Sequence, residues 1–235
     1  MTIQESELES ELAELNARFE TAHPRDVVAW AWERFGDGLV VTASFEDPVL
    51  VHVVSDVAKP VEVVLLDTQY LFAETKWYAE RLTRLLGLNL VTFHPEVQPD
   101  DLWQTDTEAC CHVRKVIPLG KALAGRTAWI TGVRRADGPT RADAPIVAWD
   151  PARQLVKINP LATYSDDDMA LYQQLHELEP NPLTERGYPS IGCWPCTRPV
   201  APGEDKRAGR WSGQSKTECG LHVPVADVSV EVRSS

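Results

Sequence analysis

The 235-residue sequence is notable first for what it has little of. No stretch approaches the ~18 consecutive apolar residues of a membrane span, so no membrane partner is expected. The acidic opening MTIQESELESELAEL has no basic-then-apolar leader pattern, and a cytoplasmic protein is expected. Basic charge is scarce: 23 Lys and Arg stand against 35 Asp and Glu, a net charge of −12. Broad nonspecific binding to nucleic acid needs a basic surface, and none is available. Internal repeats and low-complexity tracts are absent. Hydrophobic residues make up 43% and charged residues 25%, near the globular average, so whole-chain disorder is excluded too.

Cysteine is sparse but placed in a pattern. The five residues are Cys110, Cys111, Cys193, Cys196 and Cys219. An odd count without a leader argues against a disulfide framework. They divide into a CC pair, a CxxC pair and one residue near the C-terminus, which suggests four metal ligands plus one working thiol. Four thiolates suit zinc or an iron–sulfur cluster. Adjacent cysteines on a helix diverge by ~100°, which is awkward around one tetrahedral ion and easier around separate iron corners. That favours [4Fe–4S] over zinc.

The periodicity predicts an α/β protein. Leu8, Leu12, Leu15 and Phe19 mark an amphipathic helix over 3–20, and a second helix starts at Pro24 and ends near Gly36. GLVVTAS (38–44), VEVVLLD (61–67) and LNLVTF (88–93) read as buried parallel strands separated by helices over 47–58 and 71–87. TAWITG (127–132) and QLVKINP (154–160) add two strands, with IVAWD (146–150) pairing with the second. SDDDMALYQQLHEL (165–178) opens with an Asp variant of the capping box. The order predicts a doubly wound, mostly parallel sheet spanning residues 1–199, followed by a loop-rich, mobile tail over 200–235.

Ligands of such sheets bind beyond the carboxyl ends of the strands. Three segments fall there. The Ser44–Asp47 turn precedes a helix N-terminus and offers backbone N–H groups to an anion. Asp67 and Thr68 end the second strand, where they can hydrogen-bond a ribose or base. Arg134, Arg135 and Arg141 follow the fourth strand, with forks suited to phosphate or sulfate oxygens. Lys115 lies four residues after Cys111, on the same helical face. Between Arg198 and His222 the charge reverses: Arg198, Lys206, Arg207, Arg210 and Lys216 face only Glu204, Asp205 and Glu218. Cys219, near Lys216 and His222, is placed to be a lowered-pKa nucleophile.

Together, LDTQYLFAET, CCHVRK, GVRR…R, GCWPCTRP, KRAGRW and KTECGLH resemble the assimilatory adenylylsulfate reductases, relatives of phosphoadenylylsulfate reductase, over roughly residues 38–222. The resemblance implies an adenine nucleotide alpha hydrolase-like fold and a [4Fe–4S] cluster on Cys110, Cys111, Cys193 and Cys196. It implies that Cys219 attacks the sulfur of adenosine 5′-phosphosulfate, expelling AMP, and that thioredoxin or a similar dithiol protein then releases sulfite. Lys115, Arg207, Arg210 and His222 match positions near the phosphosulfate, and Arg134 and Arg141 match more weakly. Four other readings stand beside it. These are the same reaction on the 3′-phosphorylated substrate, a tRNA-thiolating enzyme, a non-catalytic iron–sulfur redox sensor and a structural zinc domain. The SFED turn lacks the glycines of an SGGxDS phosphate loop, against the tRNA reading. A homo-oligomer is left open.

Overall fold

The computed structural model describes residues 3–214 and 216–222. Helices α1 (Ile3–Phe19) and α2 (Pro24–Phe35) lead into β1 (Leu39–Thr42), α3 (Val49–Val57), β2 (Glu62–Leu66), α4 (Ala73–Leu86) and β3 (Asn89–Phe93). Two short helices, α5 (Leu102–Thr105) and α6 (Thr107–Cys111), run through a π-helical turn, His112–Val116, into α7 (Ile117–Leu123). Then come β4 (Ala128–Ile130), β5 (Val147–Asp150), β6 (Leu155–Ile158) and α8 (Asp166–Leu175). The six strands form one sheet in the order β3-β2-β1-β4-β6-β5. All neighbours are parallel except the β5–β6 pair at the edge.

The predicted doubly wound sheet is thus present, and its apolar strands are explained by burial on both faces. Side chains alternate with period two. Leu39 and Val41 of β1, Val63 and Leu65 of β2, and Ala128 and Ile130 of β4 join the larger core with α2, α3, α4 and α8. Val40, Val64 and Trp129, between them, face a smaller core under α7. Leu221, from the C-terminal segment, packs on that smaller core. The segment is therefore part of the layer covering the sheet.

Local signals act as read. Pro24 opens α2, and Gly87 closes α4 in the left-handed region, where glycine carries no Cβ penalty. Ser165 and Asp168 form the capping box of α8. CCHVRK departs from the expected continuous α-helix: its second half is the π-helical turn. Such turns recur at functional sites because they re-aim side chains, and here Arg114 and Lys115 are both buried. No helix among the described residues is long and apolar enough to cross a membrane.

Asn16 ties α1 to the sheet edge: its amide donates to Val147 O at 2.7 Å and accepts from Ile146 N and Val147 N at 2.8 and 3.1 Å. Asn16→Ala removes all three bonds and leaves edge-strand groups unpaired. The expected loss is about 1–3 kcal/mol in urea unfolding, and an unchanged midpoint would show that α1 is held by its apolar face alone.

Candidate functional site

In the sheet order, the succession of strands reverses between the parallel neighbours β1 and β4, the switch point at which open α/β sheets bind ligands. A cavity of about 380 Å³ lies there, within the range of small-molecule sites. Its lining comes from segments far apart in sequence: the Ser44–Asp47 turn, Thr68 after β2, Lys115 in the π turn, Arg134 and Arg141 after β4, Gly192–Cys193, and Arg207, Arg210, Cys219 and His222 near the C-terminus. Two non-glycine residues in the left-handed region, Phe45 (φ 54°) and Trp211 (φ 46°), also line it. That conformation costs roughly 1–2 kcal/mol each and marks turns held by their surroundings.

The residues expected to meet a ligand do not all have their charge free. Asp67 is not in the cavity lining: its carboxylate accepts from Gln69 N at 2.9 Å and pairs with Lys76 at 3.0 Å. Thr68 lines the cavity, but its hydroxyl accepts from Tyr70 N and sits 3.2 Å from Cys193 Sγ. Arg134 is paired with Asp137 and Asp166 at 2.8 and 2.9 Å. Arg141 forks onto Glu218 at 2.9 and 2.8 Å. Arg135 is turned to Glu20 and does not line the cavity.

Lys115, Arg207 and Arg210 are the cavity cations least neutralised. Burial, together with Arg210 and Arg141, lowers the pKa of Arg207 from its usual value. Arg210 donates to Ser190 Oγ and Ile191 O at 3.2 Å, while its Nε is buried without a partner. A glycine at 192 makes its seat possible, because a Cβ there would lie 2.5 Å from Arg210 Nη2. Crowded cations of this kind favour an anion between them. The turn after β1 adds a feature the sequence reading missed. Besides its N–H groups, the turn supplies two carboxylates. Burial raises the pKa of both Glu46, which Arg210 opposes, and Asp47, which caps Val49 N.

Cys219 is partly buried. Burial alone would push its thiol up, but Lys115, the Leu221 backbone N–H and Arg210 together hold it below the ordinary value. The cations that lower it come from the π turn and from Arg210. The sequence neighbours behave differently: Lys216 pairs with Glu108 and lies over the Trp211 ring. His222 stacks on Trp129, with ring centroids 5.7 Å apart and planes at 17°.

The remaining cysteines share a second, small cavity with Tyr70, Trp103, Arg114 and Trp211. The CxxC loop is fixed to the body by a bridge from Cys193 to Leu71 and by Trp194 N donating to Tyr70 O at 2.8 Å. The C-terminal segment is pinned in turn by Trp211 N donating to Cys196 O at 2.9 Å. Arg114, fully buried, donates to Gln69 and Gln98 O and stacks on Tyr70, bracing this wall. Burial raises the thiols of Cys110, Cys111 (to about 11) and Cys196. The four lie around one space, but among the described residues no group of three or more His, Cys, Asp or Glu is arranged to hold a metal ion. Lys115, Cys193, Arg210 and Trp211 line both cavities, so one wall separates them. Lys115→Met is expected to move the pH midpoint of Cys219 alkylation up by about one unit, read by peptide mapping. An unmoved midpoint would show that Lys115 does not act on the thiol.

A domain model described as phosphoadenosine phosphosulfate reductase domain matches residues 38–199. The adenosine 5′-phosphosulfate reductase of Rhodococcus opacus is 44% identical over 240 residues, covering 93% of this chain and 97% of that one. The protein of the same name from Mycolicibacterium smegmatis is 43% identical, covering 95% and 100%. Among solved structures, the phosphoadenylyl-sulfate reductase of Candida auris superposes with a TM-score of 0.69 at 24% identity, over 78% of this chain and 94% of that one, a likeness of fold. The chain belongs to the phosphoadenosine phosphosulfate reductase family.

Proposed function

We propose that the chain reduces adenosine 5′-phosphosulfate to sulfite and AMP, with Cys219 as the nucleophile. The observation that carries this reading is a thiol of lowered pKa beside Lys115 and Arg210, inside a nucleotide-sized cavity at the switch point. The name borne by relatives 41–44% identical supports it.

The chemistry follows from the charges. Sulfur in a sulfate ester is shielded by anionic oxygens, and cations must spread that charge before a thiolate approaches. Lys115, Arg207 and Arg210 are the groups to do so, with His222 as a hydrogen-bond partner. The Cys219 sulfur forms a bond to the sulfonyl sulfur as the bond from that sulfur to the AMP phosphate oxygen breaks. The products are AMP and an S-sulfocysteine. A dithiol protein, thioredoxin in this proposal, attacks the Cys219 sulfur and expels sulfite; its second thiol resolves the mixed disulfide and returns the Cys219 thiolate. For this exchange the tail over 200–235 would move between two partners. Its residues 215 and 223–235 lie outside the described residues.

Cys110, Cys111, Cys193 and Cys196 would hold the [4Fe–4S] cluster. The donor set fits: four thiols and no carboxylate or imidazole line one cavity, beside Arg114 and Lys115. When bound, the cluster supplies structural cross-linking and local charge; the two-electron exchange needs only sulfur chemistry. The name of the relatives, adenosine 5′-phosphosulfate reductase, supports the nucleotide without a 3′-phosphate as the preferred substrate.

Sulfite release with reduced thioredoxin tests the reading. It is expected with adenosine 5′-phosphosulfate, more weakly with the 3′-phosphorylated form, and not with Cys219→Ser, whose visible cluster absorbance should persist. Normal release by Cys219→Ser would overturn the nucleophile, and preference for the 3′-phosphorylated nucleotide would favour the second substrate. Cys193→Ala is expected to lose the absorbance; an unaltered spectrum would remove that ligand.

A further inference from the structure

Trp129, at the centre of β4, has a completely buried indole whose N–H donates to Thr42 Oγ1 at 2.8 Å. The indole is therefore fixed. Two cations lie against it: Arg153 with Cζ 5.3 Å from the ring centroid and Lys157 with Nζ at 5.2 Å. His222 stacks on the same indole. Arg153 is itself anchored by Asp150 at 2.6 Å and donates to Leu221 O at 3.1 Å, so it also grips the backbone next to His222. The Nδ1 of His222 is buried with no partner.

We propose that Arg153 and Lys157, working through the Trp129 indole, are positioning residues that seat the His222 imidazole in the cavity and keep it uncharged. Cations from four separate segments act on His222, whose ring face lies on the Trp129 indole. Lys157 comes from β6, Arg153 from the β5–β6 turn, Arg141 from the segment after β4, and Arg207 from the C-terminal segment. The acidic groups near this array are committed, Asp150 to Arg153 and Glu218 to Arg141. A proton added to the ring would meet four positive charges in a partly desolvated place. Burial and these cations accordingly put the His222 pKa well below the usual histidine value. Burial and Arg153 bring Lys157 itself down to about 8, so it still carries charge at neutral pH.

A neutral imidazole keeps one N–H donor for an anionic oxygen and one lone pair. It adds no proton source beside the Cys219 thiolate. An imidazolium there would be repelled by Lys157 and Arg153, which lie against the same indole. The part His222 plays in turnover rests on the reaction proposed above; its protonation state and seating do not.

Histidine side-chain NMR titration of the full chain with its cysteine site loaded separates the two. The sequence has six histidines, and His222→Asn identifies the signal. In the unmodified protein the His222 signal is expected to stay that of a neutral ring throughout the ordinary histidine range. In Lys157→Met its midpoint is expected to rise by about one pH unit. Lys157→Arg should restore the original behaviour, and Lys157→Gln serves if the Met variant does not fold. Unchanged titration of the other five histidines reports an intact fold. A His222 that titrates at about 6.5 in the unmodified protein would overturn the proposal. So would an unmoved midpoint in a folded Lys157→Met or Lys157→Gln. Failure of the unmodified protein to release sulfite would sink the reaction and leave this titration standing.

Discussion

The buried ammonium of Lys115 lies between the four-cysteine space and Cys219, and the sulfur on both sides favours its charge. Burial works against its charge, yet Cys193, Cys219 and Cys111 outweigh that cost and raise its pKa. The same attraction, seen from Cys219, holds a buried thiol closer to ionisation than burial alone would allow. One cation in the wall between two cavities therefore faces both the four-cysteine space and the Cys219 thiol. The π-helical turn sets this placement. A regular α-helix continuing from CC would carry position 115 to a different angle, whereas the wider turn leaves Arg114 and Lys115 buried on the site.

The sheet explains why residues so distant can share one wall. Reversal at β1 and β4 opens a crevice, and every strand flanking it ends there. Turns delivered by β1, β2 and β4 meet the CxxC loop and the C-terminal segment over that edge. The segment is held by main-chain bonds to the CxxC loop, by Leu221 in the smaller core and by the Arg141–Glu218 fork. Removing the four-cysteine loop would thus loosen the platform on which Cys219 rests, even with no electron passing through it.

The fold was legible because two-sided burial leaves a simple mark: runs such as VEVVLL with no polar break, punctuated by Gly87, Pro24 and the Ser165 capping box. The grouping of the CC and CxxC pairs was legible because paired cysteines stand out in spacing, and the four do line one cavity. Side-chain partners were not. Asp67 is drawn off by Lys76, Arg134 by Asp137 and Asp166, and Arg141 by Glu218, all decided by tertiary neighbours. Sequence proximity points to Lys216 beside Cys219, whereas the cations that hold its thiol below the ordinary value are Lys115 and Arg210. Trp129 reads as one more apolar residue of a strand; nothing in its neighbours along the chain announces that His222 will stack on it.

The central claim is that Cys219 takes the sulfonyl group before any reductant acts. Intact-mass analysis of anaerobically purified, cluster-loaded protein, incubated with adenosine 5′-phosphosulfate in the absence of thiol, measures this directly. The expected result is a sulfonate adduct that maps to the Cys219 peptide and disappears with sulfite release when a dithiol is added. Protein that holds its cluster, binds the nucleotide and forms no such adduct would contradict the account.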